Sequence, residues 1–176
     1  VTGVQTCALP IYVSSYIKSW HIRHLGSILK FGSQTPNIFN FFQNLQLFKK
    51  LIGFEKSLPL LQEESLIDWW GDNKLKQNNS DVTVWVIADI FTQYYDVDIG
   101  RDLLNLLKKC KVNVRVIFPK ISIVAMISHG LLDEAKDELK ILHYQLNDID
   151  KNDLIVGIEP SEVLVWRDEA KNLLNS

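Results

Sequence analysis

With 176 residues, 47% of them hydrophobic, and a formal net charge of -2, the chain can bury one core and is neither disordered nor fibrous by composition. The charge balance argues against nucleic acid as a partner, and no apolar run reaches the ~18–20 residues of a membrane-spanning helix. Two cysteines, Cys7 and Cys110, are too few and too badly spaced for a zinc site or a disulfide scaffold, which suits a reduced, cytoplasmic chain.

The charge is unevenly spread. From Tyr12 to Lys56 six Lys/Arg stand against one acid, Glu55, while the rest of the chain holds thirteen basic and twenty acidic residues. A basic N-terminal arm therefore precedes an acidic body.

Residues 1–11, "VTGVQTCALPI", lack the charged start and long apolar stretch of a signal peptide. The string resembles a common sequencing-library adaptor translated in frame. It is read as an artefact and set aside with Cys7, so the chain is expected to be a fragment of a longer protein. Residues 12–80 read as a mostly helical linker or arm. Gly, Ser and Pro interrupt the apolar residues of "VSSYIKSWHIRHLGSILKFGSQTP", which suggests a partly helical linker. A firmer helix follows: Thr35 as cap, Pro36 in the first turn, an apolar stripe of Ile38, Phe41, Phe42, Leu45, Phe48 and Ile52, then Lys49 and Lys50 towards its end and Gly53 as its stop. The stripe either packs on folded protein or lies, with the arm's cations, on the inner face of the cell membrane beside a quinone electron acceptor. Packing is favoured, because an apolar helical face is usually core. A short helix around Glu63–Trp70 and a polar connection complete the arm.

Residues 81–176 alternate regularly. "VTVWVIAD" reads as a buried strand and "VNVRVIF" and "DLIVGIEP" as strands; "DIGRDLLNLLKKC", "HGLLDEAKDELKILHYQL" and "SEVLVWRDEAKNLL" read as helices. Strands separated by helical crossovers imply a parallel sheet, because parallel neighbours need about a dozen connecting residues. The expected fold is α/β: a three-layer βαβαβα unit with at least three parallel strands, preceded by the helical arm. In such sheets ligands sit beyond the carboxyl ends of the strands.

The first strand end offers Asp89, Thr92 and Tyr94, as a site or as a turn in which the carboxylate caps the helix after Asp96. The second offers Ser128 and His129. Adjacent side chains diverge on most backbones, so the pair does not make a nucleophile and base by itself; Ser128 is read as the cap of a Leu131–Leu146 helix with Gly130 in its first turn. The third offers Glu159, held extended by Pro160, and Ser161 as the cap of the last helix. Glu159 is a candidate site carboxylate without a His or metal-ligand neighbour in sequence. "DIGRD" has no phosphate-loop spacing, His21 and His24 lack acidic or cysteine companions, and Trp69, Trp70 and the Phe39–Phe48 aromatics are read as packing. From chemistry alone, no catalytic machinery is visible.

Taken together, "ADIFTQYYDVDIG", "MISHGLLDEAK" and "VGIEPSEVLVWRDE", preceded by "KKLIGFEKSLPLL", resemble the cysteine-rich C-terminal region of bacterial FAD-linked oxidases fused to an iron–sulfur module, of the D-lactate or glycolate dehydrogenase type. The resemblance runs from about Gly26 to Leu174. It implies a parent that oxidises a 2-hydroxy acid at FAD and passes electrons through 4Fe-4S clusters to an acceptor. The FAD domain, the cluster domain and a second related module would lie outside this chain and be its partners.

In the family the second strand end carries a Cys-Cys-Gly loop, and Glu-Pro-Ser at the third is often followed by Cys. Here Ile121, Ser122 and Ile123 take the first places and Glu162 the last. Cluster irons need thiolates, so the module is expected to bind no cluster, metal or other cofactor and to have no catalytic residue of its own. Its role is then that of a spacer and docking platform in an electron-transfer enzyme. The alternative is a stand-alone α/β module that takes a small anion at helix N-termini near Asp98, His129 and Ser161.

Overall fold

The computed structural model describes residues 5–45, 59–73 and 80–175, with side chains from residue 19 onward. Three strands, β1 (Thr83–Ile87), β2 (Asn113–Ile117) and β3 (Leu154–Gly157), form a parallel sheet in the order β2-β1-β3. Thr83 pairs with Asn113 and Val84 with Leu154, and the register runs on to Ile87 opposite Ile117 and Gly157. The α/β expectation holds. β1 is central because the chain steps to one side for β2 and crosses back to the other for β3, which makes the carboxyl ends of β1 and β3 the place where the winding reverses.

The first crossover consists of α4 (Ile90–Tyr94) and α5 (Val97–Lys109), the second of α6 (Ile123–Ser128) and α7 (Leu132–Gln145). The arm supplies α1 (Gln5–Gly32), α2 (Pro36–Gln43) and α3 (Leu66–Asn73). After β3 come α8 (Pro160–Leu164), a π-helical turn (Val165–Glu169) and α9 (Ala170–Asn175). Side chains alternate across a strand, and β1 shows the result. Val84, Val86 and Ala88 pack with Leu66, Trp70, Val97 and Leu104 of α3 and α5. Trp85 joins Ile117, Met126, Leu139 and Val165 on the other face. Those are the three layers. Trp70 is buried and Trp69 packs beside it, as the sequence suggests.

The arm departs from expectation where the sequence seemed most broken. Residues 5–32 form one continuous helix, with Gly26 and Ser27 inside it. Gly26 marks a close approach: a Cβ there would run into the Lys120 carbonyl oxygen. With no Cβ, α1 lies directly on the chain leaving β2, and Leu29 joins Leu61, Ile90 and Tyr94 in a third core cluster.

The next helix stops at Gln43, with Asn44 as its C-cap, and Thr35 makes no side-chain cap bond. Its inward side is polar. Asn40 takes the Leu61 N–H (2.8 Å) and donates to the Leu61 carbonyl (3.0 Å), while Gln43 donates to the Pro59 carbonyl (2.8 Å). Those bonds turn Ile38, Phe41, Phe42 and Leu45 to solvent. Phe48, Lys49, Lys50, Ile52 and Gly53 lie outside the described residues. No helix among the described residues is long and apolar enough to cross a membrane.

Candidate functional site

Each strand end is followed by a short helix whose first N–H groups need acceptors. At β1, Asp89 caps α4: its carboxylate accepts from the backbone N–H groups of Phe91 (2.9 Å) and Thr92 (3.1 Å) and from the Thr92 hydroxyl (2.6 Å). Asp89 is 2% exposed and Thr92 is buried beside it. The capping reading is right in kind, but the helix is α4; α5 has Asp96 at its N-cap without a side-chain bond. Sequence periodicity missed α4 because five residues are too few to show it.

At β2, Ser122 caps α6 and accepts from the Ala125 N–H (3.1 Å). Its hydroxyl donates in turn to Glu162 of α8, beyond the third strand end. Ser122 is 4% and Glu162 8% exposed. Removal from water is the main reason the Glu162 carboxyl titrates above the ordinary glutamate range, and the Asp89 charge adds to it; the Ser122 hydroxyl and the N–H groups of Val124 and Ile123 pull the other way. The structure thus brings Asp89, Thr92, Ser122 and Glu162 together at the reversal of the winding. Among the described residues the polar contacts of this cluster are internal, so it locks three chain segments rather than presenting a reactive group.

The other strand-end candidates fall elsewhere. Ser128 does not cap a following helix. It is the last residue of α6, and its hydroxyl donates back to the Ala125 carbonyl (3.0 Å). His129 Nδ1 also reaches that carbonyl (2.9 Å). A carbonyl oxygen only accepts, so Nδ1 carries the proton and cannot serve as base towards Ser128, 3.2 Å away. Gly130, at φ 73°, ends the helix in a left-handed cap, with Gly130 N–H to Ile127 O (3.0 Å) and Leu131 N–H to Met126 O (2.9 Å). This corner needs α6 to exist first, which a reading of "SHG" alone cannot supply.

At β3 the cap is Glu159, not Ser161. Its carboxylate accepts from the Ser161 N–H (3.3 Å) and hydroxyl (2.7 Å). Of the helix N-termini expected to receive an anion, the one near Ser161 is occupied by the Glu159 carboxylate, whereas α5, from Val97, and α7, from Leu132, begin without a side-chain cap bond.

Cys110 is the exposed C-cap of α5, just before β2 begins. A five-residue strand spans about 16 Å, so this thiol is at the far end of the sheet from Ser122 and Glu162. No group of three or more His, Cys, Asp or Glu side chains among the described residues is placed to hold a metal ion.

Two curated relatives match the chain along most of its length. It is 28% identical over 191 aligned positions to the D-2-hydroxyglutarate dehydrogenase of Escherichia coli (strain K12), covering 93% of this chain and 19% of that protein. It is 27% identical over 183 positions to the enzyme of the same name from Haemophilus influenzae (strain ATCC 51907 / DSM 11121 / KW20 / Rd), covering 93% of this chain and 18% of that protein. The chain therefore spans about a fifth of the length of these relatives. No protein-family model matches it, and no solved structure does.

Proposed function

We propose that the chain is a segment of an FAD-linked oxidoreductase acting on a 2-hydroxy acid, and that it serves there as a cluster-free structural module on which the cofactor-bearing parts dock. The resemblance of the three strand-end motifs supports the reading, as does the likeness to two proteins named as 2-hydroxy-acid dehydrogenases. One observation carries it: Ser122 and Glu162, which stand where the resemblance puts cysteines, are buried and hydrogen-bonded to each other. Their donor chemistry does not fit an iron–sulfur cluster, which takes thiolates; the hydroxyl and carboxyl are instead consumed in capping α6. Electrons in the parent enzyme then travel through other parts of it, and this module supplies position.

The test has two arms. Anaerobic incubation of the 176-residue chain with iron and sulfide, followed by iron quantitation and a visible spectrum, is expected to give iron near zero and no chromophore; stoichiometric iron refutes the cluster-free role. Dye-linked assay of the intact gene product is expected to show oxidation of a D-2-hydroxy acid, and inactivity towards every 2-hydroxy acid tried refutes the oxidoreductase parent.

A further inference from the structure

A pocket of about 400 Å³ opens between the second half of α1 and the carboxyl ends of β1 and β2. That is the lower part of the range of small-molecule sites, roughly 300–1,000 Å³. It is separate from the Ser122–Glu162 lock. Ser27 and Lys30 of α1 and Lys120 after β2 contribute polar lining, Phe118 an apolar wall, and Gln93 and Tyr94 of α4 the buried side.

Gln93 is 2% exposed, and its Nε2 donates to the carbonyls of Ala88 and Pro119, both at 2.8 Å. Its Oε1 has no partner among the described residues. Tyr94 is 5% exposed, and its hydroxyl likewise has no hydrogen-bond partner among the described residues. Neither atom is sealed from solvent, unlike Gln43 Oε1 and Arg101 Nε, which are buried without a partner among the described residues, and both residues line a space that a ligand can enter. At the same pocket, neither the Lys30 nor the Lys120 ammonium is ion-paired among the described residues. Burial raises the Tyr94 phenol's pKa, and the nearby Asp68 carboxylate adds to it. That charge sets an orientation: an anionic end is repelled from the Tyr94 side and drawn to the lysines.

We propose that this pocket binds a small hydroxylated organic anion, its carboxylate or phosphate held by Lys30 and Lys120 and its hydroxyl by Gln93 Oε1 and the Tyr94 hydroxyl. The two anion types share this chemistry, and the experiment separates them.

The 176-residue chain is titrated with malate and with glycerol 3-phosphate at constant ionic strength, followed by thermal shift and calorimetry; glycerol and sodium sulfate serve as controls. A saturable response to malate alone assigns a carboxylate ligand, and to glycerol 3-phosphate alone a phosphate ligand; a response to both supports the shared chemistry. Lys30→Ala and Lys120→Ala are each expected to weaken binding about tenfold or more, as loss of a charge-assisted bond does. Tyr94→Phe is expected to weaken it about two- to tenfold. All three variants should melt like the parent chain without ligand if their effect is on the ligand alone. No saturable response to either anion, an equal response to sulfate, or unchanged affinity in the Lys30→Ala/Lys120→Ala double variant overturns the proposal.

Discussion

Replacing Gly26 by alanine puts a methyl group where the Lys120 carbonyl oxygen already lies, with the Ile90 side chain 3.2 Å from the same point. A backbone oxygen in the short bend between β2 and α6 has little room to rotate away, so α1 must lift. The lift disturbs the cluster of Leu29, Leu61, Ile90 and Tyr94. Overpacking of this kind costs roughly 1–3 kcal/mol, and alanine returns about 1 kcal/mol through its better helix propensity. The expected net loss is about 0–2 kcal/mol, or a melting point lower by up to about 8 °C for a chain of this size. Gly71→Ala is the internal control. It also sits within a helix, α3, but a Cβ there meets nothing within 4 Å, so it should gain up to about 1 kcal/mol. Thermal melts by circular dichroism read both. If Gly26→Ala stabilises as much as Gly71→Ala, α1 does not rest on the strand ends, and the pocket beneath it loses its wall.

Three further outcomes are expected. Because burial raises the Glu162 carboxyl above its ordinary value, its contribution to stability is fully present below the unfolded pKa and is lost as pH rises through the folded one. The slope from one such group is at most about 1.4 kcal/mol per pH unit, and Glu162→Gln should flatten urea-measured stability above pH 4.5; an unchanged slope means the carboxyl is not desolvated. Gly130→Ala forces a Cβ into the left-handed region at φ 73° and should cost about 1–2 kcal/mol in chemical denaturation, whereas no cost would show that α6 ends differently. In a Cys7→Ser background, Cys110 should react with Ellman's reagent in the native state, since it is exposed; reaction only on unfolding would place it in the core and reopen its exclusion from the strand ends.

What the amino-acid order determined by itself is the alternation of strands and helices in residues 81–175. Apolar periods of two and of 3.6 are local properties, and buried Val/Ile runs such as Thr83–Ile87 leave little choice of structure. Capping chemistry was legible only in kind: the acceptors Asp89, Ser122 and Glu159 are short-range features, but which helix each serves depends on α4, α6 and α8, of five or six residues each. The apolar stripe of α2 does not pack on the described body, because Asn40 and Gln43 found backbone partners at Leu61 and Pro59 and turned Phe41 and Phe42 outward. Tertiary structure alone decided that Gly26 is a contact surface rather than a helix breaker, since the group it must clear is the carbonyl of Lys120, 94 positions along the chain. It alone joined Ser122 to Glu162, 40 positions apart, and set Lys30 beside Lys120 at one pocket. Side-chain pattern records which face of an element is dry; the partner across a gap is chosen only when the elements pack.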